Sequence, residues 1–255
     1  MLCPAGSPAG NACTRLVISC PAVTPAAAVV QLTRPGATVT NRGTIVLTTG
    51  GAGTLFNRTV SVLGSSMIAA FAADGLLVAD VAWDPPGIWG GPQARTLACR
   101  SATLIKWVYD NLHTGGRSRL FAAQGTSGGA AQIAFALAHY GASDFLDLAN
   151  LGGGPPWCPP TVFCSPEGQR GPEPLLPSDP PAVNRQPLLA YPVTVVRFFL
   201  GDQEPSPQIS ADARAYFEAI SSAKSFTIVP GTGHHIEDTQ AGVNAFIASV
   251  RGALQ

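Results

Sequence analysis

Gly125-Thr126-Ser127-Gly128-Gly129 is a G-x-S-x-G run. A serine in this setting suits nucleophilic attack. Its small neighbours allow a sharp turn from strand to helix, with the hydroxyl exposed at the turn. An apolar run at residues 120–123 precedes it, and Ala130, Ile133, Ala134 and Leu137 give the following segment a helical stripe. That context distinguishes the run from a chance Gly/Ser turn. The start of the helix also favours negative charge developing nearby.

A serine hydroxyl needs a base. The histidines are His113, His139, His234 and His235. His113 and His139 are expected on helix surfaces. His234 and His235 end the run Pro230-Gly231-Thr232-Gly233-His234-His235, beyond the last strand. His234 directly follows the Gly-x-Gly turn and is the expected base; His235 is expected to shape the loop. The imidazole in turn needs a carboxylate to fix its tautomer and stabilise its charged form. Asp202 and Glu204 both follow the strand at 193–200, and the residues alone leave both open. Glu237 and Asp238 lie too near the histidine in sequence. The order nucleophile, acid, histidine differs from two unrelated protease orders. The oxyanion needs N–H donors. Gly128 supplies one, and the loop Thr49-Gly50-Gly51-Ala52-Gly53 the other, from Gly51 or Ala52. No Lys-Ser/Thr follows that loop, so it is not a P-loop, and it lacks the dinucleotide-binding glycine pattern.

The elements that must hold these groups alternate. Weak strand signals at 14–18 and 28–33 suggest an antiparallel edge. The run at 44–49 predicts a strand, followed by a helix at 65–73 and a strand at 76–82. Ser101, Ile105, Val108 and Leu112 stripe a helix. A strand at 147–151 comes next, then a Pro-rich aperiodic segment at 152–191. A strand at 193–200, a helix at 210–222, a strand at 226–229 and a C-terminal helix striped by Val243, Phe246, Ile247, Val250 and Leu254 complete the chain. This alternation predicts a mostly parallel sheet with helices on both faces. Ligands then bind beyond the carboxyl ends of the strands, where all the groups named above fall.

The chain has 255 residues and 46% hydrophobic content, enough for one α/β domain over 1–255, with a Cys/Pro-rich segment at 1–27. Net charge is zero and only 12% of residues are charged, so nucleic acid is not an expected partner. No apolar run approaches the roughly 18 residues of a membrane span. A monomer is expected. The cysteines are Cys3, Cys13, Cys20, Cys99, Cys158 and Cys164. None forms a C-x-x-C pair, so a zinc site is not expected; the even count points to disulfides and a secreted protein whose signal is missing from this sequence. Cys158 and Cys164 are expected to close a small loop. The competing reading is six buried thiols in a cytosolic protein.

The chain resembles the α/β-hydrolase family over roughly residues 28–255. The matching pieces are Ile45-Val46-Leu47-Thr48-Thr49-Gly50-Gly51, Val81-Ala82-Trp83-Asp84-Pro85-Pro86-Gly87, the serine pentapeptide, Gly201-Asp202-Gln203-Glu204-Pro205 and Gly231-Thr232-Gly233-His234. The resemblance implies an acid three residues after the glycine that ends its strand, which is Glu204. Asp is usual there, so Glu is a departure and Asp202 remains the alternative. The loop that supplies the oxyanion donor commonly begins His-Gly in that family and is Thr49-Gly50 here. The Pro-rich segment implies an open site with little lid, similar to cutinases and polyester-degrading hydrolases. Trp157 in Pro156-Trp157 is similar to an aromatic that flanks their cleft; its alternative role is packing on the neighbouring disulfide. Trp89 is a second candidate for the cleft wall. The expected function is hydrolysis of carboxylic esters, small, bulky or polymeric, without metal or organic cofactor. Alternatives are amide or peptide hydrolysis, acyl transfer, and a catalytically dead binding protein.

Overall fold

The computed structural model describes Cys3 and residues 12–21, 23–84, 94–154 and 188–255. The strands are β1 (Ala12–Cys20), β2 (Val23–Thr33), β3 (Gly43–Thr48), β4 (Leu76–Asp84), β5 (Leu120–Thr126), β6 (Leu148–Gly152), β7 (Val195–Gly201) and β8 (Lys224–Val229). The helices are α1 (Asn57–Val60), α2 (Gly64–Ala73), α3 (Ala94–Asn111), α4 (Gly128–Tyr140), α5 (Pro207–Ala219) and α6 (Gln240–Ala253). All eight strands form one sheet, in the order β1-β2-β4-β3-β5-β6-β7-β8. The β1–β2 and β2–β4 pairs are antiparallel; every other pair is parallel.

Burial explains the strand sequences. All of β3 and β5, and all of β4 except Asp84, are buried, which suits strands covered on both faces. The outermost strands β1 and β8 alternate between exposed and less exposed residues. On one face, α3, α4 and α5 pack through Ile105, Val108, Ile133, Leu137 and Tyr216 against Val30, Val46, Val81 and Phe198. On the other, α2 and α6 pack through Met67, Phe71, Phe246 and Val250 against Ile45, Leu47, Val78 and Phe199.

The first hairpin is longer than the strand signals at 14–18 and 28–33 suggest. Its extra residues include the weak strand formers Ala26, Ala27 and Pro25. The β1–β2 register is irregular between Ile18 and Cys20, and β2 pairs with β4 only from Ala27 onward. Pro25 falls in that irregular stretch, where the missing N–H is tolerated. Helix α5 also starts earlier than residue 210: Ser206 caps it by accepting the Ile209 N–H, and Pro207 opens it. Two disulfides are present among the described residues. Cys3–Cys13 ties the N-terminal segment to β1, and Cys20–Cys99 joins β1 to α3. Cys158 and Cys164, and most of the Pro-rich segment, lie outside the described residues. Among those residues, no helix is long and apolar enough to cross a membrane.

One buried charge in β4 anchors the chain that follows the Gly-rich loop. Asp80 is fully buried and accepts from the Asn57 N–H and Nδ2 and from the Arg58 N–H; the Arg58 Nε lies 3.5 Å from it. Burial raises the Asp80 pKa, and the Asn57 and Arg58 contacts oppose that rise. Removing one partner of a buried pair strands the other charge. D80A is expected to lose about 3–5 kcal/mol of stability, read as a lower urea midpoint with an unchanged slope.

Candidate active site

The candidate groups converge at the carboxyl ends of five parallel strands. The Gly-rich loop follows β3, Ser127 follows β5, Gly153 follows β6, Glu204 follows β7 and His234 follows β8. Ser127 has φ 57° and ψ −124°, and it is the one non-glycine residue with positive φ among those described. Such a conformation costs about 1–3 kcal/mol and persists only where its surroundings enforce it. Here the Ser127 N–H donates to the Gly152 carbonyl at 2.8 Å, and its own carbonyl accepts the Ala131 N–H at 3.0 Å. The turn is also tight. A Cβ at residue 125 would lie 2.4 Å from Thr48 Oγ1 and 2.5 Å from the Gly129 carbonyl carbon, so only glycine fits there.

The Ser127 Oγ lies 2.8 Å from His234 Nε2, and His234 Nδ1 lies 2.7 Å from Glu204 Oε2. An anionic Glu204 can only accept, so it fixes the proton on Nδ1 and leaves Nε2 to accept from the serine hydroxyl. The Glu204 side chain is only 3% exposed, and its second oxygen accepts the Ser206 N–H at 3.1 Å. The carboxylate is thereby held from both sides.

Asp202 takes a different place. It is exposed, and its Oδ1 accepts the Thr232 N–H at 3.2 Å. The Gln203 N–H donates to the Thr232 carbonyl at 2.9 Å. The two contacts pin the histidine loop to the end of β7. Asp202 therefore braces the loop that carries His234, while Glu204 contacts the ring.

The Gly-rich loop lies against the serine turn. A Cβ at Gly50 would come within 3.6 Å of Ser127 Oγ, and one at Gly128 would lie 3.0 Å from the Gly51 nitrogen. The Gly51 backbone and the first residue of α4 are thus adjacent. Gly128 opens α4, where the first N–H groups have no partner within the helix.

The remaining histidines depart from expectation in part. His139 is buried in α4 and stacks on Phe135; α4 is enclosed almost all round, so it has no polar face. His113 is half-buried, with its ring nitrogens 3.1 Å from Thr44 Oγ1 and 2.9 Å from the Gly116 carbonyl oxygen. His235 packs edge-on against His234 at 5.1 Å between ring centroids. Trp89 and Trp157 lie outside the described residues. Among those residues, no group of three or more His, Cys, Asp or Glu side chains is arranged to hold a metal ion.

Sequence reasoning set Glu237 aside as too near the histidine, named Trp83 only within a matching run, and gave Gln132 no role. Glu237 is buried, and one of its oxygens has no hydrogen-bond partner. Gln132 and Trp83 form a buried hydrogen-bonded pair behind the Gly-rich loop. The available signal for Gln132 was its polarity in a helix whose other residues between Gly128 and Ala138 are apolar.

The Glu237 carboxylate, 3.9 Å from His235 Nδ1, raises the His235 pKa. Partial burial offsets some of that rise, and Asp238 and Glu204 add to it. A raised imidazole pKa contributes stability that is complete below the unfolded-state value and is lost as pH rises through the folded-state value. NMR titration is expected to place His235 above the ordinary histidine value of about 6.5, and E237Q to lower it. An unchanged midpoint in E237Q would remove Glu237 as the cause.

No protein-family model and no curated protein matches the sequence. Solved structures do match the fold. Est1E from Butyrivibrio proteoclasticus superposes with a TM-score of 0.63 at 12% identity, covering 94% of this chain and 98% of that one. A highly thermostable carboxyl esterase from Bacillus coagulans gives 0.62 at 15% identity, covering 96% and 99%. A dienelactone hydrolase from Anabaena variabilis gives 0.55 at 12% identity, covering 94% and 96%. The similarity extends over nearly the whole of each chain, and with the eight-stranded, mostly parallel sheet it establishes that this protein has the α/β-hydrolase fold.

Proposed function

We propose that this protein is a serine hydrolase that cleaves carboxylic esters through an acyl-enzyme. The hydrogen-bonded chain from Ser127 through His234 to Glu204 carries the reading. Ser127 Oγ attacks the ester carbonyl while His234 Nε2 takes its proton. Glu204 stabilises the imidazolium. The N–H groups of Gly128 and of Gly51 or Ala52 stabilise the oxyanion. His234 then protonates the departing alcohol. Water enters, gives its proton to His234 and releases the acid, and the serine recovers its proton.

Bulky or polymeric apolar esters, including aromatic polyesters, are the proposed substrates. The Pro-rich segment lacks the helical periodicity of a large cap. Leu55, at the end of the Gly-rich loop, is 53% exposed and presents apolar surface. Trp89 and Trp157 are proposed to line the cleft; W157A is expected to raise KM on bulky aromatic esters, and an unchanged KM would assign Trp157 to packing. The disulfides fit an oxidising compartment, and secretion is proposed on that ground.

Hydrolysis of p-nitrophenyl esters from acetate to long chains tests the reading. S127A is expected to lose at least about 10⁴-fold in kcat, and equal rates in wild type and S127A would contradict the proposal. E204Q is expected to lose about 10³- to 10⁴-fold, by analogy with loss of the triad acid elsewhere, while D202N stays within about tenfold. The reverse ranking would make Asp202 the acid.

A further inference from the structure

The proposed mechanism requires two N–H groups on separate elements to aim at one oxygen. One opens α4 and the other lies in the loop at residues 49–55. Nothing in the local sequence of either element sets their mutual distance. We propose that Gln132 is a positioning residue that fixes the loop against α4 and so sets the spacing of the two oxyanion donors; this inference rests on the serine-hydrolase reading.

Gln132 lies one turn into α4, after Gly128, and is 1% exposed. Its Oε1 accepts from Trp83 Nε1 at 3.0 Å and from Ser101 Oγ at 3.1 Å. These two donors orient the amide and direct Nε2 toward the Thr49 carbonyl, 3.5 Å away. Thr49 is the first residue of the loop. The amide thus connects α4 to the root of the other half of the oxyanion site.

The rest of the loop hangs from the same group of residues. Thr49 Oγ1 donates to the Leu55 carbonyl at 2.7 Å, tying the root of the loop to its end. The Gly53 N–H donates to the Gly50 carbonyl at 3.0 Å, and the Trp83 N–H donates to the Gly53 carbonyl at 2.8 Å. Trp83 therefore holds the loop with its backbone and orients Gln132 with its ring. Next to this link, Thr48 Oγ1 donates to the Gly129 carbonyl at 3.1 Å. A Cβ at Gly128 would lie 2.4 Å from the Gly51 carbonyl oxygen, so the two halves already touch and have no slack on that side. Gln132 restrains the loop from behind. All four network residues, Thr49, Trp83, Ser101 and Gln132, are at most 2% exposed. In such surroundings each polar group needs its partner, and an apolar side chain would leave two donors stranded.

Two variants separate positioning from general core integrity. W83F/S101A removes the two donors to Oε1 but keeps the amide and its N–H facing Thr49. W83F/S101A/Q132M removes the amide as well and leaves no stranded donor, so it avoids the folding defect of a lone Q132M. The two variants are compared by kcat and KM on p-nitrophenyl acetate, by affinity for a trifluoromethyl ketone that forms a tetrahedral adduct, by pH–rate profile and by Tm. W83F/S101A leaves an amide that can still reach Thr49 but has lost the donors that orient it, so a partial loss of about threefold to tenfold in kcat is expected together with a lower Tm. Adding Q132M is expected to lower kcat by about tenfold to a hundredfold, because displaced donors act mainly on the transition state. KM should stay within about twofold, ketone affinity should fall with kcat/KM, and the pH midpoint should not move. Equal kcat and equal ketone affinity in the two variants would overturn the inference. So would a loss already complete in W83F/S101A. A wild type that neither hydrolyses the ester nor binds the ketone would instead overturn the serine-hydrolase reading beneath it.

Discussion

Ser127 occupies a backbone conformation that an ordinary residue avoids, and much of the surrounding structure keeps it there. The hydroxyl can face both the histidine and the Gly-rich loop only if β5 stops abruptly and α4 starts at once. Glycine at 125 allows that turn, because any side chain would strike Thr48 and Gly129. The Gly152 carbonyl holds the Ser127 N–H, so β6 helps to define the turn as well. The strain is local, whereas the restraint comes from neighbouring strands and from a helix buried on nearly every side.

The parallel sheet supplies the rest. Five strands end at one edge, and each end places one component of the site there. Glu204 and His234, the proposed acid and base, follow adjacent strands, β7 and β8, whose loops are cross-linked by Asp202, Gln203 and Thr232. That link orders the histidine loop before any substrate arrives. Asp80 does a similar task for the opposite wall, holding the start of α1 after the Gly-rich loop. Preorganised donors need no rearrangement when charge develops, and this is where electrostatic stabilisation of a transition state gains most of its strength.

Much of this was legible in the sequence. Long β-branched and apolar runs marked β3, β4 and β7, and the glycines at the ends of β3, β5, β7 and β8 marked the site edge. The serine pentapeptide and His234 were readable because their spacing follows from the backbone geometry each needs. The acid was less legible: both Asp202 and Glu204 follow β7, and only the turn between them decides which carboxylate reaches the ring. The first hairpin was underestimated because alanine and proline carry little strand signal. The buried position of His139 was missed because α4 lacks the amphipathic pattern that separates an inner face from an outer one. Glu237 was set aside for its closeness to the histidine in sequence, and Gln132 was invisible. Its role depends on partners far along the chain, Trp83 and Ser101.

The most direct test of the account is peptide mapping by mass spectrometry after reaction with a fluorophosphonate. A single covalent adduct on Ser127 is expected, formed far more slowly when His234 is replaced by alanine. An adduct on a different serine, or ester hydrolysis that continues at full rate while Ser127 is fully modified, would contradict it.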